Sequence, residues 1–92
     1  LILKLLPLRD RDVVDIIALI LDNPDMDAAA FWRHCQRTEN EAHISKRLDE
    51  LAQMLNSGTF RDVWQAEYGE PLSLAQVRVV LDRVRRLKRS KL

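Results

Sequence analysis

The sequence predicts an all-α fold: a compact bundle of about five helices in a single domain. Three observations point there. Apolar residues recur at spacings of three and four along most of the chain, the recurrence of one helix face. β-Branched residues form no alternating run of useful length. Only two glycines and three prolines occur among 92 residues, and they fall where apolar stripes end. Hydrophobic residues make up 47% of the chain and charged residues 32%, a globular composition rather than a disordered one. A chain of this length supports one core, near the lower limit at which a core suffices alone.

Residues 1–8, LILKLLPL, read as an apolar arm. The arm is too short to span a bilayer and lacks the basic n-region and small-residue cleavage site of a signal peptide. It is expected to pack on its own core or on a partner chain, with no membrane involved. Leu1 in place of Met suggests a fragment, an ordered core or a processed product.

The first long helix is RDRDVVDIIALILD, closed by Asn23-Pro24. Asp10 and Asp12 suit the positive end of its dipole. Val13, Val14, Ile17, Ile20 and Leu21 form one stripe, which Ile16 and Leu19 widen until Asp12, Asp15 and Asp22 are a narrow polar edge. A helix this apolar is central to the bundle or shared with another molecule. The expected oligomer interface, with a second copy or a partner protein, therefore comprises Leu3, Leu5, Leu6, Ile16, Leu19 and Ile20.

Asp25 is placed to cap a second helix, MDAAAFWRHCQR, that buries Ala29, Phe31 or Trp32, and Cys35. Residues 9–37 thus form an N-terminal pair, with residues 38–92 as a tri-helical basic part. Thr38 and Glu41 have the spacing of a capping box opening the third helix. Ile44, Leu48, Leu51 and Leu55 share a face of that helix, and Gly58 can end it in the left-handed conformation. The fourth helix, TFRDVWQAEY, turns Phe60, Val63 and Trp64 inward and stops at Gly69-Glu70-Pro71. Ser73 and Gln76 make a second capping box for the fifth helix, which runs to Arg89. Its apolar positions are Leu74, Val77, Val80 or Leu81, Val84 and Leu87. Arg78, Asp82, Arg85 and Arg89 occupy the opposite side, with Arg83 and Arg86 beside them.

Nothing in the sequence assembles a catalytic site. Catalysis requires a nucleophile or acid within reach of a base. His34 and Cys35 are chain neighbours, so on a helix they point about 100° apart. Ser45 and His43 are likewise on different faces, and two isolated glycines make no phosphate loop. We expect neither an enzyme nor a small-molecule substrate or cofactor. His34, Cys35, Glu39 and His43 are metal-ligand types, but zinc sites need paired ligands at fixed spacing. A helix break at Thr38 separates these two halves, so we expect no metal, a buried Cys35 and partly exposed histidines. A single cysteine excludes an internal disulfide framework and favours a reducing, cytoplasmic setting. Trp32 and Trp64 lie on apolar helix faces, which suits core packing rather than base stacking.

Charge is the informative feature. The net charge is only +1, yet residues 1–77 sum to −5 and residues 78–92 to +6. Basic residues near a helix C-terminus favour the dipole, which explains part of the excess. The remainder suits an acidic pole on a partner or a nucleic acid. The stretch EYGEPLSLAQVRVVLDRVRRL is similar in rhythm to the turn and recognition helix of winged-helix regulators. The similarity covers about half the chain and is one of architecture. It implies a helix-turn-helix core in which the last helix enters the major groove N-terminus first. Only three residues follow Arg89, so no wing is expected. Residues 51–64 approach the same rhythm but carry Asn56 and Asp62 where Gly and an apolar residue belong.

Under this reading Leu74, Ala75, Gln76 and Arg78 lie at the groove end, Gln76 and Arg78 bonding base edges. Lys88, Arg89 and Lys91 would contact phosphate, with Arg83, Arg85 and Arg86 completing the basic surface. The expected function is a non-enzymatic, DNA-associated helical module of regulatory or replication-accessory type. The alternative is a protein-interaction or oligomerisation module with no nucleic-acid role.

Overall fold

The computed structural model describes residues 2–58 and 60–90, without the side chains of Ile2, Leu3 and Asp10. Among the described residues the chain is all α, with no strand. A single helical turn, α1 (Ile2–Leu5), precedes five longer helices: α2 (Asp10–Asp22), α3 (Ala28–Arg37), α4 (Glu41–Ser57), α5 (Arg61–Tyr68) and α6 (Leu74–Arg89). α2 lies at the centre, packed against α1, α5 and α6, while α4 packs against α1, α3 and α6.

The arm folds back onto its own chain. Leu5 and Leu8 are buried in the core and Leu6 is packed against it. Leu8 takes a left-handed φ of 43°, a conformation that costs a non-glycine residue about 1 kcal/mol or more. Burial of its side chain holds it there, which reverses the chain from α1 into α2.

α2 buries more than its stripe. Val13, Val14, Ile16, Ile17 and Ile20 are all inside. Leu5, Ile16 and Ile20 therefore face this chain's own core, which corrects their assignment to an oligomer interface. The reason is the arm: α1 covers the flank of α2 that the sequence leaves unaccounted for. Asp12, expected on a polar edge, is also buried. Its Oδ2 accepts hydrogen bonds from the Arg9 backbone N–H at 3.1 Å and from Arg9 Nε at 2.8 Å. Lys4 Nζ stands 3.7 Å from Oδ1 and 3.1 Å from Asp15. The Arg9 hydrogen bond holds the Asp12 carboxyl below the usual range, against the upward push of its burial.

Two helix starts differ from the sequence expectation. Asp27, not Asp25, caps α3, accepting from Ala30 N–H at 3.0 Å. The Thr38–Glu41 capping box does not form, because Thr38 closes α3 instead. Its hydroxyl donates to the His34 carbonyl at 3.0 Å, Glu39 takes a left-handed φ of 60°, and Asn40 N–H donates to the Cys35 carbonyl at 2.9 Å. Glu39 N–H reaches Gln36 O, completing a Schellman closure with Glu where glycine is usual. α4 then starts from Asn40 without a side-chain cap.

Most of the remaining apolar positions and helix stops are as expected, with Ala29 the exception in this part of the chain. Ile44, Leu48, Leu51 and Leu55 line the buried face of α4, and Gly58 ends it at φ 76°. A Cβ there would meet Arg61 Nε at 2.8 Å. Phe60 and Trp64 are buried and Val63 is partly so. Phe31 and Trp32 are both inside, whereas Ala29 is exposed. Trp32 Nε1 donates to the Leu87 carbonyl at 2.6 Å across 55 residues, tying α3 to the end of α6.

Candidate nucleic-acid interface

α6 begins with the capping box read from the sequence. Ser73 Oγ accepts from Gln76 N–H at 3.1 Å, and Gln76 Oε1 accepts from Ser73 N–H at 3.0 Å. Val80, Leu81, Val84 and Leu87 bury one face against α2 and α4. Leu74, expected among the apolar positions, is 69% exposed, because the first turn projects beyond the helices that cover the rest. At the far end Ser90 bonds back to the Arg86 carbonyl through both its N–H and its hydroxyl.

Helix periodicity then fixes the other face. Arg78, Asp82, Arg85 and Arg89 fall within a narrow arc, and Arg86 flanks it. All are exposed, and the four arginines make no ion pair among the described residues. With a rise of 1.5 Å per residue they extend over about 16 Å of helix. Asp82 reduces the face from four positive charges to a net of three.

The other expected contact residues are engaged within the fold. Arg83 leans across the helix, and its Nη1 donates to the carbonyls of Ile20 at 2.8 Å and Leu21 at 3.2 Å. It thereby gives the Leu21 carbonyl a partner at the end of α2 and adds a second donor to the Ile20 carbonyl, which also accepts from Asn23 N–H at 3.4 Å. Lys88 pairs with Asp49 of α4. Gln76 is exposed, but its side-chain carbonyl is held in the cap, whereas bidentate reading of adenine needs both amide groups. Lys91 lies outside the described residues, as do the side chain of Leu3 and the start of the fourth helix at Thr59.

The residues considered for chemistry do not form a second site. Cys35 is buried, and burial, with a lesser push from Glu41, raises its thiol above the ordinary value. His34 and His43 are exposed. Among the described residues no three His, Cys, Asp or Glu side chains gather as a metal site. No helix there is long and apolar enough to cross a membrane.

Arg83 and Lys88 could not be told from the free arginines by residue type. A helical wheel supplies only part of the signal. It sets Arg83 at the edge of the buried face of α6 and Lys88 within that face beside Leu81 and Val84, but the partners they reach lie on α2 and α4.

Fold and surface together define an all-α helical bundle whose last helix presents a basic outer face. No protein-family model, curated protein or solved structure matches this chain.

Proposed function

We propose that the chain is a non-enzymatic, DNA-associated helical module that contacts the duplex backbone through Arg78, Arg85, Arg86 and Arg89. The observation that carries this reading is their shared exposure on one face of α6 without an ion pair among the described residues. A guanidinium left to solvent gives multiple donors to phosphate oxygens and releases condensed counterions when it binds. Arg83 and Lys88 belong to the scaffold in this reading, and Gln76 to the helix cap. The helix-turn-helix order of α5 and α6 would present Leu74, Ala75 and Arg78 first to a groove. With Gln76 held, Arg78 remains to bond a base edge, so backbone contact dominates over sequence reading.

Fluorescence anisotropy with a short labelled duplex tests the proposal. Four neutralised phosphates give a slope of about −3.6 in log affinity against log salt. That corresponds to roughly a hundredfold loss between about 50 and 200 mM salt. The Arg85→Glu/Arg86→Glu/Arg89→Glu variant should lose binding at low salt while keeping its helical circular dichroism. Absence of binding by the parent chain at low salt, or equal affinity of parent and variant, overturns the reading.

A second reading, a protein-interaction or oligomerisation module, draws on the corner between α5 and α6. Pro71, Leu72 and Leu74 line a groove there beside Arg61, Asp62 and Gln65, and Tyr68 is 48% exposed. Sedimentation of the parent and of Leu74→Lys tests it: association that the variant abolishes favours a contact at this corner.

A further inference from the structure

A cleft separate from the centre of the arginine face lies between the end of α2, the start of α3 and the last turns of α6. Ile20, Met26, Ala28 and Leu87 form its apolar wall, and Asn23, Arg83 and Arg86 supply its polar groups. Its accessible space is about 50 Å³, well below the roughly 300–1,000 Å³ of small-molecule pockets, so it is a shallow notch that admits the tip of one side chain rather than an enclosed ligand. No carboxylate lines it among the described residues.

We infer that this cleft binds an acidic–hydrophobic peptide segment, taking the tip of an aliphatic side chain against Ile20, Met26 and Leu87 and a neighbouring carboxylate at Arg83 and Arg86. Three features argue for this occupant. The wall is aliphatic and includes a methionine, whose unbranched thioether adapts to different apolar shapes. A phosphodiester backbone has no use for such a wall, whereas a leucine-like side chain gains from burial there. Arg83 is held in place by the α2 carbonyls through Nη1 alone. Its Nε and Nη2 groups have no acceptor among the described residues, so a pre-positioned guanidinium edge is available to a carboxylate. Arg86 stands exposed at the same rim. Pre-positioning lowers the ordering cost of binding, which matters for a cleft this small.

The cleft shares Arg86 with the proposed DNA face but does not involve Arg78, Arg85 or Arg89, so either proposal can fail alone.

Peptide titrations followed by ¹H–¹⁵N correlation spectra test the inference. The probe is acetyl-Glu-Leu-Leu-Glu-amide, with Gln-Leu-Leu-Gln and Glu-Ala-Ala-Glu counterparts as controls. The expected result is saturable shifts at the amides of Ile20, Met26 and Leu87 with the first peptide, and binding weaker by roughly tenfold with each control. Arg86→Glu should weaken the first peptide by at least about tenfold. Ala28→Leu, which fills the wall without altering charge, should weaken it as well. The Arg85→Glu/Arg89→Glu variant should bind it like the parent. Equal binding of the Glu and Gln peptides, shifts confined to another surface, or no saturable shift at millimolar peptide each overturn the inference.

Discussion

α2 and α6 are similar in length, at 13 and 16 residues, and opposite in their relation to solvent. α2 carries apolar residues over most of its circumference, and the fold encloses them with α1, α5 and α6. α6 carries a single apolar stripe, buried against α2 and α4, and leaves its arginine side open. In a domain this small the broadest apolar surface serves the chain's own core, since little else is available to build one. The surface left for partners is thus the polar one, together with small apolar openings where helices meet. Leu19, at 39% exposure, is what remains of the apolar outer side of α2.

The comparison breaks most sharply in the core. Ile16→Ala should cost about 2–5 kcal/mol, read as a lower midpoint in urea unfolding that is independent of protein concentration. A midpoint that moves with concentration would place Ile16 at a subunit contact instead. Trp32→Phe should cost about 0.5–1.5 kcal/mol, because the Leu87 carbonyl loses the indole donor and keeps only Ser90 N–H at 3.2 Å. Chemical denaturation followed by circular dichroism measures this loss, with the end of α6 losing amide protection first.

Asp12→Asn probes the charged edge of α2. The folded-state pKa of Asp12 is depressed, so its contribution is fully present above the usual Asp value of about 3.9. It is lost as pH falls through the lower folded value. The variant should be less stable at neutral pH and show a shallower fall in stability on acidification than the parent. Parallel acid limbs in the two proteins would remove Asp12 from the account.

The smallest effect on folding is expected at α6. Reversing Arg85, Arg86 and Arg89 together should change stability by only about 0.5 kcal/mol per site or less, measured in the same urea titrations. A large loss would mean that the open face belongs to the scaffold, and would erase the contrast with α2.

The helices were legible because their signals are local. The stripe Ile44, Leu48, Leu51, Leu55 spans about three turns, and the Ser73–Gln76 box and the left-handed stop at Gly58 each lie within one. Thr38 misled because one hydroxyl can serve either of two helices, and only the geometry of the 37–41 connection decides between them. Ala29 and Leu74 misled because burial depends on what a helix meets, not on its own periodicity. The arginine face was legible as a charge excess, but its division between free and committed side chains was not.

By itself the sequence determined an all-α chain, the order of its helices, most of the inner stripe of each and the concentration of positive charge on the last. These follow from repeat spacing, capping chemistry and composition, which act over a few residues. Tertiary structure decided that the apolar arm covers α2, that Asp12 is buried with Arg9, and that Trp32 fastens α3 to α6. It also decided that Arg83 and Lys88 serve the scaffold while Arg78, Arg85, Arg86 and Arg89 face solvent. Each of those outcomes depends on groups far apart in the chain meeting at hydrogen-bonding or packing distance, which no local pattern specifies.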